Sequence, residues 1–213
     1  MPADARSELD EARRSLGFLT VREVVERIAG RNIVLDPGSL LIGRDARIGQ
    51  GNVFHAAVEI GADARSTVTI GDGNQFFSTC MLRARAGGRI EIGQGNQFGE
   101  GGLVLDADQA GAPITIGDHG RYRYGAVIRG RASLGSGSQV LGPVIVEDCE
   151  LGAGASFAEP DPDLRGGVLK GAGPARHLRV PQGHVIAAWG PFAQAAMQQQ
   201  SFFHPTPEVD AGA

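Results

Sequence analysis

The stretch IGDGNQF at residues 70–76 returns as IGQGNQF at residues 92–98, and both copies belong to a longer repeat of six residues. Within each run an aliphatic or aromatic residue recurs at every sixth position, a small residue usually stands four places later, and glycine often follows directly. The recurring positions are Ile42, Ile48, Phe54 and Ile60, then Ile70, Phe76 and Leu82, then Ile92, Phe98 and Val104, then Ile116, Tyr122, Ile128, Leu134 and Val140, and after a one-residue slip Ile145, Leu151 and Phe157.

This period predicts a solenoid, because each hexad can supply one short strand and one corner, and three hexads close a triangular coil. The pattern resembles that of the hexapeptide-repeat superfamily, and the resemblance implies a single-stranded, left-handed parallel β-helix. We predict an all-β solenoid of about six coils stacked about 4.8 Å apart. The predicted regions are an N-terminal helical cap at 1–31, the β-helix at 32–159, and an irregular segment, a C-terminal helix and a tail at 160–213.

The two ends of the chain lack the hexad repeat. At the front, SELDEARRSL and TVREVVERIAG read as two short helices, the second with a capping box of Thr20 and Glu23 and a stop at Gly30. At the back, PFAQAAMQQQSFF predicts a helix at residues 191–203. Such terminal elements are expected to cover the open ends of a solenoid.

Three intervals in the repeat are longer than six residues. They lie between Ile60 and Ile70, between Leu82 and Ile92, and between Val104 and Ile116. Assigning successive hexads to three faces puts all three insertions at the same corner, where they should stack.

The composition excludes several classes of partner. The 213-residue chain has a formal charge of −4, which gives no reason to expect binding to nucleic acid or to an anionic membrane. No segment is apolar for long enough to span a membrane, and the N-terminus carries charges where a secretory signal needs an apolar run. We therefore expect a soluble, cytoplasmic protein with no membrane span.

The glycine-rich stretches and the cysteines are expected to be structural. Neither IGDGNQF nor IGQGNQF has the context of a phosphate-binding loop. Asn74 and Asn96 occupy the small-residue position one coil apart, which predicts an internal asparagine ladder. Cys80 and Cys149 occupy the same inward position on different faces, too far apart for a disulfide, and are expected to be small core residues.

Four arginines are the candidate residues for binding a ligand or partner. Arg83 and Arg85 fall on the same face as Arg129 and Arg131, two coils away and beside the inserted corner. A basic strip there would suit an anionic ligand or the acidic residues of a partner subunit. A solvated face is the alternative, since acidic residues such as Asp106 are near enough to pair with it.

The histidines are the candidate general bases. His119, next to Asp118 in the turn IGDHGRY, and His55, pointing outward after Phe54, could remove a proton from an acceptor at a subunit interface. The alternative for His119 is an ordinary surface turn. No histidine pair has metal-ligand spacing, so we expect no metal site.

Resemblance to known families leaves the chemistry open. The superfamily contains acyltransferases, γ-class carbonic anhydrases and non-catalytic subunits. The segment RARAGGRIEIGQGNQFGEGGLVLDAD resembles the dynactin subunit 6 family, whose members are non-catalytic. The resemblance to γ-carbonic anhydrases would place their three zinc-binding histidines at about Leu105, Tyr124 and Arg129 of this chain. The hydrocarbon side chain of Leu105 and the guanidinium of Arg129 cannot ligate zinc.

Two functions follow from these resemblances. The first is a non-catalytic structural or assembly subunit that resembles dynactin subunit 6 or an inactive γ-carbonic anhydrase-like protein, with protein partners or as a homo-oligomer, and without a cofactor. The alternative is a trimeric acyltransferase that uses a coenzyme A thioester and acts on a small amine or hydroxyl acceptor. In that case the four arginines would hold the cofactor phosphates.

Overall fold

A computed structural model describes residues 3–204 and winds the hexads into a parallel β-helix with three faces. Two helices precede it: α1 (Ala3–Ser15) and α2 (Val21–Val24), the second continuing as a π-helical turn at Val25–Ala29. Over residues 3–204, no helix is both long and apolar enough to cross a membrane.

The strands are short, as a hexad repeat requires. In chain order they are β1 (Ile33–Val34), β2 (Leu41–Ile42), β3 (Arg47–Ile48), β4 (Val53–Phe54), β5 (Glu59–Ala62), β6 (Thr67–Ile70), β7 (Gln75–Phe76), β8 (Cys80–Ala84), β9 (Arg89–Ile92), β10 (Gln97–Gly99), β11 (Leu103–Ala107), β12 (Ile114–Ile116), β13 (Arg121–Arg123), β14 (Ala126–Arg129), β15 (Ala132–Leu134), β16 (Gln139–Leu141), β17 (Val144–Glu147), β18 (Glu150–Leu151), β19 (Val168–Arg176), β20 (Arg179–Val180), β21 (His184–Trp189) and β22 (Met197–Gln199).

Every third strand pairs in parallel, so each face is one sheet. The first face runs through β1, β4, β7, β10, β13 and β16, the second through β2, β5, β8, β11, β14 and β17, and the third through β3, β6, β9, β12, β15, β18 and β20. Strand β19 bends round the corner and pairs with both β16 and β17. The third face holds seven strands among the described residues, so the coil count differs slightly from the predicted six.

Like residues stack along the interior of the coil. The rings of Phe54, Phe76, Phe98 and Tyr122 are fully buried and lie nearly parallel, with successive centroids 5.1, 4.9 and 5.4 Å apart. Such pairs contribute about 0.5–1.5 kcal/mol each beyond the area that they bury. The column explains why a chain with so few aromatic residues repeats them at one position of the hexad.

The predicted asparagine ladder is present and longer than expected. Asn52 Nδ2 donates to Asn32 Oδ1 at 3.1 Å, Asn74 Nδ2 to Asn52 Oδ1 at 3.1 Å, and Asn96 Nδ2 to Asn74 Oδ1 at 3.0 Å. Each Oδ1 also accepts the backbone N–H of the next coil, and the last one accepts from Gly120. The ladder therefore satisfies the turn backbone at the corner where the third and first faces meet, away from water.

Three residues that the hexad pattern places in the interior lie outside the core: Val104, Ile145, and Phe157, whose ring packs on the Arg121 guanidinium. On the second face the buried positions are Leu105 and Val146, whereas Val104 is half-buried and Ile145 is 36% exposed. The register confirms this, because Leu105 pairs with Leu82. At Val104 the residues at 99–102 cause the shift: all four have positive φ, and this turn adds one residue before the strand begins. At Ile145 the predicted one-residue slip is misplaced, because the six-residue interval from the buried Val140 continues to the buried Val146.

The three insertions stack at the corner between the second and third faces, as predicted. The Asp63 carboxylate accepts the backbone N–H of Ala86 at 2.7 Å, and Ser66 Oγ accepts that of Gly87 at 3.0 Å. Across the third insertion, Arg131 donates to the carbonyl oxygen of Gly111 at 2.8 Å. Hydrogen bonds between successive coils therefore hold this corner.

The predicted C-terminal helix at residues 191–203 is wrong. The structure has a 3-10 turn at Phe192–Gln194, strand β22 antiparallel to β21, and a second 3-10 turn at Gln200–Phe203. Phe192 is fully buried, and β21 offers β22 an edge with which to pair. Tertiary packing thus overrides the helix propensity of the Ala- and Gln-rich segment.

Strand pairing also continues through β19, β20 and β21, beyond residue 159 where the sequence predicts the β-helix to end. These strands extend all three sheets, because β19 joins the first and second faces and β20 joins the third. The tail after residue 204 lies outside the described residues.

The N-terminal cap is fixed by polar contacts. The predicted capping box is confirmed: Glu23 N–H donates to Thr20 Oγ1 at 3.1 Å, and Thr20 N–H donates to Glu23 Oε2 at 2.8 Å. The buried Arg13 guanidinium donates to the carbonyl oxygens of Leu19, Leu40 and Gly38 at 3.3, 3.3 and 2.5 Å. These bonds tie α1 to the first coil.

Candidate functional site

The four predicted arginines lie at the second face and its inserted corner, but carboxylates hold three of them. Arg83 binds Glu59 with two contacts of 2.7 and 3.1 Å, and Arg85 binds Asp106 with two of 2.8 Å. Arg129 lies 3.3 Å from Glu147. The hydrogen-bonded carboxylates raise the pKa of Arg83 and of Arg85. Arg131 donates instead to a backbone carbonyl.

The strand register turns the predicted basic strip into a row of alternating charge. Asp106 pairs in register with Arg83 on one side and with Arg129 on the other, and Glu147 follows Arg129. We name this row the charge ladder; it consists of Arg83, Asp106, Arg129, Glu147 and Arg176, one residue per coil. Its guanidinium groups already have anionic neighbours.

Arg83 and Arg85 also line a groove of about 340 Å³ under the loop that joins α1 to α2. Glu59 and Asp63 line the same groove, so its charges are mixed. Gly61 also lines the groove, and a Cβ there would lie 3.5 Å from the Phe18 ring, which is an ordinary van der Waals distance.

The predicted histidines do not meet in one site. His119 is an exposed corner residue with φ of +57°, and its ring occupies the space in which a Cβ on Gly95 would lie. The neighbouring Asp118 carboxylate accepts the backbone N–H of Gln94 at 2.8 Å. His55 lies about three coils earlier on the first face, where its ring centroid is 5.0 Å from that of Phe77.

Both cysteines are buried core residues, as the hexad position predicts. Burial raises the pKa of the Cys80 thiol to about 12, and burial also raises that of Cys149. Sulfur Sγ of Cys80 contacts the carbonyl oxygen of Phe98 at 3.2 Å. Since the thiolate is the reactive form, neither residue is suited to nucleophilic chemistry at neutral pH.

Residues 3–204 contain no group of three or more His, Cys, Asp or Glu side chains that could hold a metal ion. Of the positions at which the resemblance would place the zinc ligands of a γ-carbonic anhydrase, Leu105 lies in the core, Tyr124 is exposed, and Arg129 pairs with Glu147.

A pocket that the sequence did not predict lies on the first face, near the C-terminal end of the β-helix. Its volume is about 180 Å³. We name it the cationic pocket. Its lining consists of the cations Arg121, Arg165 and Lys170, the apolar residues Leu141, Val168, Val185, Ala187 and Phe203, and the polar residues Gln139, Gln200 and His204. No Asp or Glu of the described chain lines it.

Neutral groups hold the two arginines of the cationic pocket in place. The Arg121 guanidinium donates twice to Gln139 Oε1, at 3.0 and 2.6 Å, and lies 3.8 Å from the ring centroid of Phe157. Arg165 donates twice to the carbonyl oxygen of Glu159, at 2.8 and 2.5 Å. Burial lowers the pKa of Arg121, and the like charges of Arg123 and Arg165 lower it further. Because a guanidinium stays protonated, the cluster retains a positive charge that an anion would stabilise.

The C-terminal turn forms a fixed wall of the cationic pocket. Gln200 is buried, its Nε2 donates to the carbonyl oxygen of Gly166 at 2.8 Å, and its N–H donates to that of Gly183 at 2.8 Å. The N–H of Ser201 donates to Asp163 Oδ1 at 2.9 Å. This bond lowers the pKa of Asp163 most, and a hydrogen bond from the Ser201 hydroxyl lowers it further. These bonds place Phe203 and His204 beside the arginines.

No family model matches the chain, and no curated protein matches it. Among solved structures, LpxA from Acinetobacter baumannii is 17% identical with a TM-score of 0.29, over 79% of this chain and 72% of its own. PerB from Caulobacter crescentus, in complex with CoA and GDP-perosamine, is 15% identical with a TM-score of 0.22 over 92% and 76%. A single-residue mutant of perosamine N-acetyltransferase from Caulobacter crescentus, also with CoA and GDP-perosamine, is 16% identical with a TM-score of 0.26 over 92% and 75%. At these identities and TM-scores, no residue role is transferred from them to this chain.

Proposed function

We propose that the chain is an acyltransferase that uses a coenzyme A thioester and acts on a small amine or hydroxyl acceptor. The observation that carries the proposal is the cationic pocket, in which Arg121, Arg165 and Lys170 meet without a lining carboxylate of the described chain. Guanidinium groups suit phosphate oxygens because they donate two parallel hydrogen bonds to a planar or tetrahedral anion. On the second face, by contrast, Arg83, Arg85 and Arg129 have carboxylate partners.

The size and polarity of the pocket fit part of such a cofactor. A volume of about 180 Å³ is smaller than the range of about 300–1,000 Å³ typical of sites that enclose a whole ligand. It is therefore suited to the phosphates, with the remaining cofactor lying across the face. The apolar residues Leu141, Val168 and Val185 give the pocket a wall that an aliphatic arm can contact.

The transfer itself needs a base for the acceptor. The acceptor nitrogen or oxygen attacks the thioester carbonyl carbon, the new C–N or C–O bond forms, and the C–S bond breaks. The acceptor proton passes to the base, and the thiolate leaves and is protonated to free coenzyme A. We assign the base to His204, whose exposed side chain lines the pocket. His119 with Asp118, and His55, stay predictions for an acceptor reached from a neighbouring subunit of a trimer.

Thermal shift with acetyl-coenzyme A tests the binding step. We expect the wild-type chain to gain stability at millimolar cofactor, and Arg121→Gln to lose most of that gain. Arg131→Gln is the matched control, since Arg131 lies on another face and contacts a backbone carbonyl. A shift that is equal in both variants, or no shift in the wild type, contradicts the proposal.

Release of free thiol from acetyl-coenzyme A, measured with a panel of amines and sugars, tests the chemistry. At neutral pH, where more of the acceptor amine is protonated, His204→Ala should lower the turnover number. At high pH the same substitution should lower it less. Parallel variants His119→Ala and His55→Ala show whether either histidine supplies the base instead. If acetyl-coenzyme A binds but no acceptor causes thiol release, the transfer step is contradicted. The chain would then bind the cofactor without catalysing transfer.

A non-catalytic assembly subunit, of the kind that the dynactin subunit 6 resemblance implies, is the second candidate. The observation that favours it is Trp189, which ends β21 and is 89% exposed. Exposed tryptophans are enriched among the residues that dominate protein–protein binding. A chain that shows no response to coenzyme A, but is recovered in a complex that Trp189→Ala abolishes, would support this function over the first.

A further inference from the structure

An apolar stripe runs along the outside of the second face. Its members alternate with the buried residues of the strands and pair with one another in register from coil to coil. The stripe consists of Met81, Val104, Val127, Ile145 and Pro174. All five remain partly exposed, Ile145 by 36%. With coils about 4.8 Å apart, the stripe is about 19 Å long.

The charge ladder lies beside this stripe, two residues further along each strand. Its signs alternate from coil to coil: Arg83 is positive, Asp106 negative, Arg129 positive and Glu147 negative. An apolar row with charged residues along one side has the composition of part of a protein interface, where an apolar centre meets a polar rim.

We infer that the second face binds a second copy of this chain, with the two β-helices antiparallel. A two-fold axis that runs along the strands, between the coils of Asp106 and Arg129, places stripe against stripe and ladder against ladder. It also reverses the order of the coils, so Arg129 faces the partner's Asp106 and Arg83 faces the partner's Glu147.

A parallel pair, related by a two-fold axis along the solenoid, lacks this match. That axis reverses the strand direction and keeps the order of the coils. If the two charge ladders then faced each other, every residue would lie opposite the same residue of the partner, so like charges would meet. Charge complementarity therefore selects the antiparallel arrangement and the register of the contact.

The apolar half of the inference is tested by the mass of the full-length particle in light scattering. Val127→Asp places a charge at the centre of the stripe and should halve the particle mass, with an unchanged circular dichroism spectrum. Thr69→Asp, an exposed position on the third face, is the matched control and should keep the wild-type mass. A wild-type monomer at about 100 µM, a concentration at which even a weak dimer would form, overturns the inference. A particle whose mass Val127→Asp leaves unchanged also overturns it.

The charge half is tested by mixing two variants. Asp106→Arg and Arg129→Glu should each halve the particle mass alone, because each places like charges opposite one another. In the mixture, Arg at 106 of one chain faces Glu at 129 of the other, and the second contact keeps its wild-type pair. Native mass spectrometry should therefore find mixed dimers in excess over either like pair. Random mixing, or no mixed dimers from folded variants, overturns the antiparallel arrangement.

Discussion

The Arg121 guanidinium lies 3.8 Å from the ring centroid of Phe157 and has no carboxylate partner among the described residues that line its pocket. An aromatic face and the amide oxygen of Gln139 orient the cation without neutralising it. The second face does the opposite, since Arg83 and Arg85 each bind a carboxylate through two contacts. We therefore expect an anionic ligand to gain more binding energy on the first face than on the second.

Arg165→Gln should weaken coenzyme A binding about 10- to 100-fold, because a hydrogen bond to a charged group contributes about 1.5–3 kcal/mol. The wild-type affinity should also fall as salt rises, since salt screens the partly exposed cations. Titration calorimetry at two ionic strengths measures both effects. An Arg165→Gln affinity equal to that of the wild type would exclude this arginine from the site.

Asn74→Ala should lower the free energy of unfolding by about 3 kcal/mol, because it leaves several buried polar groups without partners. The groups left without their partner are the backbone N–H of Asn96 and the carbonyl oxygen of Gly93, whereas Asn96 Nδ2 still donates to the carbonyl oxygens of Gln94 and Gly117. Urea denaturation measures the loss. Asn32→Ala, at the 9% exposed end of the ladder, is the control and should cost less because water reaches it. Equal losses at both positions would show that the ladder does not act as a buried network.

Gly99→Ala should destabilise the chain by more than Gly73→Ala. Both glycines have positive φ, +101° and +64°, so both substitutions strain the backbone by about 1–2 kcal/mol. At Gly99 a Cβ would also lie 2.8 Å from Cys80 Sγ and 2.9 Å from Phe77 Cβ, whereas nothing lies within 4 Å at Gly73. Thermal denaturation of the two variants measures the difference. A cost at Gly73 equal to that at Gly99 would contradict the packing described around Cys80.

The stability of the chain should fall at alkaline pH, in part through Cys80. Folding raises the pKa of this thiol from 9.0 to about 12 because burial disfavours the thiolate. The stabilisation is therefore complete below pH 9 and is lost as the pH rises toward about 12. Denaturation from pH 8 to 11 should show a steeper loss for the wild type than for Cys80→Ala. Tyr122, whose pKa burial also raises, contributes equally to both chains. Parallel curves would mean that Cys80 is not buried in solution.

The hexad pattern predicts the parts of this fold that depend on local repetition. The solenoid, the stacked corner insertions, the inward cysteines and the ladder through Asn74 and Asn96 all follow from a period of six. The pattern is misleading at Val104, because the turn at 99–102 adds a residue and the strand register decides which side chain enters the core.

The cationic pocket could not be predicted in the same way. Arg121 belongs to a hexad, but Arg165, Lys170 and His204 come from segments without the repeat. Their meeting depends on β19 continuing the first face and on the turn at Gln200–Phe203, which the sequence presents as a helix. Likewise, the sequence suggests that the arginines of the second face are free to bind an anion. Only the strand register shows that Asp106 lies between Arg83 and Arg129.

Calorimetric titration of the full chain with coenzyme A, and then with pantetheine, which shares the thiol arm but lacks every phosphate, tests the central claim most directly. If the cationic pocket of Arg121, Arg165 and Lys170 holds the phosphates, coenzyme A should bind at least about 100-fold more tightly than pantetheine, since two or more charge-assisted contacts are lost. Arg121→Gln should reduce that ratio. Equal affinities for the two compounds, or a ratio that Arg121→Gln leaves unchanged, would contradict the account.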